Sequence, residues 1–153
     1  MGKTLKRLFT AAVGTAAAWA LAVKPRTSGK PDMTEFQKYD FAHRGYWNLR
    51  KKIPENSLKA FEEAASRGYG IEMDVRLTRD GVPVVIRDSR LLRLCGAEIC
   101  VEDSTREELR NYFLSKTEER IPDLREALEL VDGQVPVLLD LKSEEENYGM
   151  LCS

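Results

Sequence analysis

Gly70-Ile71-Glu72-Met73-Asp74-Val75-Arg76-Leu77-Thr78 alternates apolar and polar residues without a break. In an extended chain Ile71, Met73, Val75 and Leu77 fall on one face, and Glu72, Asp74, Arg76 and Thr78 fall on the other. Two carboxylates spaced two apart therefore project from the same side of a strand. Arg79-Asp80-Gly81 supplies a turn, and Val82–Arg87 is a β-branched run that predicts a further strand. Working outward, Tyr39–His43 predicts an earlier strand. A helix follows, opened by Asn56 or Ser57 as its cap, with Leu58, Phe61 and Ala65 on one face and Gly68 as its stop. Ser104 with Glu107 reads as a capping box that opens a helix to about Tyr112. Asp123 with Glu126 reads as a second box. Leu124, Ala127, Leu128 and Val131 form the apolar stripe of its helix, Gly133 ends it, and Val135–Lys142 is the last strand. Strands alternating with helices predict an α/β fold of the (β/α)8 TIM-barrel type. Four βα units are about the first half of such a barrel, which in full takes about 250 residues.

The chain has 153 residues, with 24 Lys and Arg against 25 Asp and Glu. Its charge is unevenly placed. Residues 1–30 hold six basic residues and no acid, which leaves 18 basic and 25 acidic residues in the remainder, a net of −7. An acidic body excludes a general nucleic-acid binder, whose phosphate contacts need clustered Lys and Arg. It favours bound divalent cations. Cys95, Cys100 and Cys152 have neither CxxC spacing nor the histidines of a zinc site, and read as free thiols, with a single Cys95–Cys100 bridge as the alternative outside the cell.

Lys3, Lys6 and Arg7 precede an apolar run from Leu8 to Val23 that ends at Lys24-Pro25-Arg26. A basic stretch followed by an apolar one is the pattern of a secretory signal or membrane anchor. The run is somewhat short of the ~20 residues that span a bilayer, but flanking Lys and Arg can snorkel to extend it. Ala20-Leu21-Ala22 also offers a cleavage site. Residues 1–30 are thus expected to be a hydrophobic helix that directs the protein to a membrane or the exterior, followed by a linker. Residues 31–153 are expected to form the partial barrel domain.

In βα folds, functional residues gather at the carboxyl ends of strands and in the loops that follow. His43-Arg44-Gly45, Glu72 with Asp74, Arg87-Asp88, and Asp140 with Lys142 all obey that rule. Carboxylate oxygens are hard ligands suited to Ca²⁺ or Mg²⁺. Arg44, Arg87 and Lys142 suit a phosphate, and His43 can transfer a proton near neutral pH. Metal, phosphate clamp and imidazole together point to phosphoester cleavage. Taken singly, each has a plainer reading: a solvated strand face, a structural histidine, a surface ion pair, or a helix cap at Asn56.

Phe41-Ala42-His43-Arg44-Gly45, then Pro54-Glu55-Asn56-Ser57, resembles the opening of the glycerophosphodiester phosphodiesterases. The resemblance continues through Gly70–Val75, Leu77–Val85 and Ile121-Pro122-Asp123-Leu124, and covers about residues 39–142. It implies a TIM barrel that hydrolyses glycerophosphodiesters to glycerol 3-phosphate and an alcohol with a divalent cation, Ca²⁺ or Mg²⁺. By position it implies Glu72, Asp74 and Asp140 as cation ligands, Asp140 standing where the family has Glu. It further implies Arg44 and Lys142 as phosphate ligands, His43 as one of two acid–base histidines, and Glu55 and Asn56 as supporting residues. Arg87 stands where the family carries its second histidine. A guanidinium stays protonated, so it stabilises negative charge but cannot exchange a proton.

Three functions are open on this reading. The first is a membrane-associated phosphodiesterase weakened by Arg87 and by the missing half-barrel. The second is a non-catalytic phosphodiester-binding module. The third is a degenerate fragment, or one that folds only by pairing with a separate second half or, through its open sheet edges, with another copy as a homodimer.

Overall fold

The computed structural model describes residues 31–142; the apolar N-terminal segment, Cys152 and the polar run after Lys142 lie outside them. One sheet organises the described chain. Strand β1 (Phe41–His43), β2 (Gly70–Leu77), β3 (Pro83–Val85) and β4 (Val137–Leu141) all meet at β2. β1 pairs parallel with the start of β2, placing His43 opposite Glu72. β4 pairs parallel along β2 from Ile71 to Val75, placing Asp140 opposite Asp74. Because Ile71 and Glu72 pair with β1 and β4 at once, those two strands lie on opposite edges of β2.

β3 departs from the expectation of four parallel units. It folds back antiparallel on β2, with Val85 opposite Val75 and Pro83 opposite Leu77. Only Thr78–Val82 joins the two strands, and a parallel crossover needs about a dozen residues. The turn is closed by the Thr78 hydroxyl, which accepts from the Val82 N–H and meets Asp80 at 2.6 Å, and by Gly81 at φ 75°. Three strands are therefore parallel. The exit of β3 runs back along β2 towards the point where β1 ends, so Arg87 approaches the site through a hairpin.

Two helices pack on the apolar side of the sheet. α1 (Leu58–Ala65) is capped by Ser57, whose Oγ accepts from the Ala60 N–H at 3.2 Å and donates to the Pro54 carbonyl at 2.7 Å. Asn56 instead takes a left-handed φ of 53° and turns its side chain to the site. Helices α2 (Leu92–Cys95) and α3 (Arg106–Leu109) are single turns, and α4 (Leu124–Val131) carries the expected Asp123–Glu126 box. The other box is one residue later than expected: Thr105 with Glu108, while the Ser104 hydroxyl donates to the Cys100 carbonyl. α3 accordingly ends at Leu109, not near Tyr112.

Phe61, Ala64, Ile71, Met73, Val85, Ala127, Val131 and Val135 form one core between α1, α4 and the sheet. A second core, from Val84 and Ile86 through Leu91, Leu94, Val101, Leu109, Leu114 and Ile121, fills the segment after β3. Alternate residues of β3 thus face different cores. Cys95 and Cys100 are free thiols, and burial pushes Cys95 up to about 11. No helix of the described residues is long and apolar enough to cross a membrane.

Candidate active site

β2 is buried on both faces. Its apolar face enters the first core; its polar face places two buried carboxylates, Glu72 and Asp74, beside β4. A buried carboxylate needs hydrogen bonds and opposite charge to offset lost hydration. The loop between β1 and α1, together with Lys142 after β4, supplies them.

After His43 the chain turns through Arg44 at φ 61° and Gly45 at φ 77°. A Cβ on Gly45 would stand 2.8 Å from the backbone carbon of Ala60, and the next N–H, of Tyr46, bonds to the Ala60 carbonyl at 2.9 Å. Glycine is required there so that the turn can lie against α1. The turn aims the Arg44 N–H at Glu72 Oε2, 2.9 Å away, and lays the Arg44 guanidinium between two acids. Its Nη1 donates to Glu55 Oε1 at 3.0 Å, and its Nε stands 3.1 Å from Asp74 Oδ2 as an ion pair with the N–H not aimed at the oxygen.

Asn56 grips Asp74 twice. Its Nδ2 donates to Asp74 Oδ2 at 3.0 Å, and its Oδ1 accepts from the Asp74 N–H at 3.3 Å. The left-handed backbone that permits this geometry costs about 1–3 kcal/mol in a residue with a side chain. Asn56, expected from the sequence as a supporting residue or a helix cap, is thus placed against Asp74. Lys142 Nζ lies 3.3 Å from Asp74 Oδ1 and donates to Asp140 Oδ2; that hydrogen bond, with the Asp74 charge, raises its pKa. One carboxylate oxygen each from Glu72, Asp74 and Asp140 lies within 4.8 Å of the others. Two are buried and Asp140 is exposed, so the cluster opens to solvent on the β4 side.

His43 is exposed at the end of β1. Arg87 is also exposed, and its side chain has no hydrogen bond or ion pair among the described residues; its carbonyl accepts from Arg76 Nε at 2.7 Å. The structure therefore joins Arg44, Glu55, Asn56, Glu72, Asp74, Asp140 and Lys142 by direct contacts, and leaves His43 and Arg87 at the rim.

The sequence reading passed over Arg93. Its guanidinium forms a two-pronged bond with Glu55, at 2.6 and 3.2 Å, and donates through Nε to Asp88 at 2.6 Å. It ties the loop that carries Arg87 to the acid beneath Arg44. Burial alone would raise the Glu55 pKa, but the Arg93 and Arg44 guanidinia more than offset this and hold it below its ordinary 4.5. A carboxylate depressed in the folded state adds stability above its unfolded pKa and loses it as pH falls through the folded value. Stability is thus expected to decline below about pH 4.5, and Glu55→Gln should flatten that part of a urea-midpoint profile against pH.

Residues 43–152 match the Glycerophosphoryl diester phosphodiesterase family. The glycerophosphodiester phosphodiesterase of Bacillus altitudinis is 36% identical over 115 residues, covering 71% of this chain and 46% of the relative. That of Caldanaerobacter subterraneus is 42% identical over 110 residues, covering 67% and 44%. The solved structure of an Oleispira antarctica phosphodiesterase in complex with the product sn-glycerol-3-phosphate aligns at a TM-score of 0.65 and 28% identity, over 73% of this chain and 47% of that one. The chain spans about half the length of the curated relatives it matches. With the family match running over most of its length, and the parallel strands carrying the matched residues, the chain belongs to the glycerophosphoryl diester phosphodiesterase family and folds as part of its barrel.

Proposed function

We propose that this chain acts in the hydrolysis of glycerophosphodiesters to glycerol 3-phosphate and an alcohol, at a site that takes Ca²⁺ or Mg²⁺. One observation carries the reading: three carboxylates from two adjacent strands converge within 4.8 Å, flanked by Arg44 and Lys142. An all-oxygen donor set of net charge −3, partly open to solvent, fits a hard divalent cation with water or phosphate oxygens in its free positions. Glu72, Asp74 and Asp140 would hold that cation, which when bound supplies positive charge at the phosphoryl oxygens.

The remaining roles belong to the chain itself. Arg44 and Lys142 are held by the same acids and present donors towards a phosphate. His43 takes a proton from the attacking water or gives one to the leaving alkoxide. It is the chain's one histidine, so it cannot serve both steps with a second imidazole. Arg87 keeps positive charge near the leaving group without moving a proton. Absence of one acid–base group lowers turnover by about 10²–10⁴-fold. Retention of cation and phosphate with slow turnover is the second reading that Arg87 favours. The membrane address on residues 1–30 belongs to the same proposal and rests on the sequence.

A thermal melt of the full chain tests the cation site. At a cation concentration about 100 times its Kd, Ca²⁺ or Mg²⁺ should add about 2.7 kcal/mol of stability, read as a rise in Tm. Glu72→Gln should remove that rise. A Tm indifferent to both cations would overturn the metal-dependent reading.

A further inference from the structure

The loop between Gly45 and Pro54 plays no part in the site, yet it is tightly built. Asn48 and Ile53 exchange backbone hydrogen bonds at 2.8 and 3.1 Å, Asn48 Oδ1 accepts from the Arg50 N–H, and Ile53 is buried beneath. Leu49–Lys51 form a single 3-10 turn, and Lys52 closes it at φ 57°. This small hairpin holds two apolar side chains in solvent, Trp47 at 44% and Leu49 at 52% exposure. Arg50, Lys51 and Lys52 stand beside them, also exposed, with no ion pair among the described residues. Tyr46 at its base is stacked on Tyr69, with the Arg67 guanidinium 4.6 Å above it, so the loop is braced where it leaves the body.

Its charge opposes that of the rest of the protein. Residues 41–54 contain no acid, whereas residues 31–153 carry a net −7. An indole and an aliphatic tip ringed by unpaired cations is the composition that partitions into the headgroup layer of an anionic bilayer. A nucleic acid is a poorer fit, because three cations on an acidic body fall short of the several phosphate contacts such binding needs.

We infer that the 46–53 loop docks the protein on an anionic phospholipid surface, with Trp47 and Leu49 entering the interface and Arg50, Lys51 and Lys52 contacting lipid phosphates. The loop joins His43-Arg44 to Glu55-Asn56, so docking it sets the mouth of the candidate site at the lipid surface. The inference goes beyond the proposed reaction and does not depend on turnover.

Fluorescence of the full chain tests it locally. The protein has two tryptophans, so Trp19→Phe leaves Trp47 as the sole indole whatever the N-terminal segment does. On phosphatidylcholine vesicles containing phosphatidylglycerol, Trp47 emission should shift to the blue and be quenched by brominated acyl chains. Pure phosphatidylcholine should give neither effect, and high salt should abolish both. Replacing Arg50, Lys51 and Lys52 by Ser should weaken the partitioning that Trp47 reports by about 100-fold, from roughly fivefold per charge. Unchanged emission on anionic vesicles would overturn the inference. Equal shifts on neutral and anionic vesicles, or a shift produced by a single-stranded oligonucleotide and not by vesicles, would overturn it too.

Discussion

Arg87→His is expected to raise cation-dependent release of glycerol 3-phosphate from a glycerophosphodiester by about 10²–10⁴-fold over the unaltered chain. The position is prepared for it. Arg87 lies at the exit of a hairpin strand that returns towards the end of β1, where His43 stands. Its side chain is exposed and unpartnered among the described residues, so replacing it breaks no hydrogen bond or ion pair. The backbone around it is fixed without that side chain: its carbonyl accepts from Arg76, and its neighbour Asp88 is held by Arg93. A second imidazole would let one histidine accept the proton of the attacking water while the other protonates the leaving oxygen. The gain should vanish when His43→Ala is added, because the two then no longer act as a pair. If the variant shows the cation-induced rise in Tm but no added release, Arg87 is not what limits turnover, and the binding reading takes its place.

How far the site was legible depended on sequence separation. β2 was readable from its alternation because strand period and residue type are local properties, and the Glu72–Asp74 pair came with it. The Asp123 cap was readable for the same reason, being decided within four residues, whereas at α1 the sequence offered Asn56 and Ser57 alike and the left-handed turn at Asn56 leaves the cap to Ser57. The direction of β3 was also written locally, in a turn too short for a crossover, but a β-branched run signals a strand without signalling which way it pairs. The second core left no period to find. α2 and α3 are four residues each, Leu114 opens a single 3-10 turn, and Leu91, Val101 and Ile121 come from irregular chain. Arg93 could not have been assigned its role from spacing, because its partner Glu55 is 38 residues away. The same holds for Arg76, whose guanidinium pairs with Glu102 at 2.5 Å while Glu102 also accepts from Ser89 and Cys100. Such pairs are consequences of the hairpin at β3, and they become visible only once that hairpin is placed.

Asp74→Ala is expected to cost about 3–5 kcal/mol of folding stability, a large part of what a domain of this size possesses. Asp74 is 1% exposed and anchors three partners: Asn56, whose Nδ2 donates to it, and the cations of Arg44 and Lys142. Removing the carboxylate leaves a largely buried guanidinium that Glu55 alone must balance, and an amide with no acceptor. Each is a desolvation cost with nothing to offset it. Urea denaturation measures the loss, and a change under about 1 kcal/mol would mean that the ion pairs merely balance the cost of burying them. Stability alone does not separate a structural acid from a ligand, so the comparison with Phe61→Ala matters. Phe61 is fully buried in the first core, far in character from any polar group, and its truncation should cost a similar 3–5 kcal/mol. Cation should still raise the Tm of Phe61→Ala, since its three carboxylates are intact. It should not raise that of Asp74→Ala, where the ligand set is broken. Equal destabilisation with opposite responses to the cation would identify Asp74 as the residue where folding and the proposed chemistry depend on the same charge.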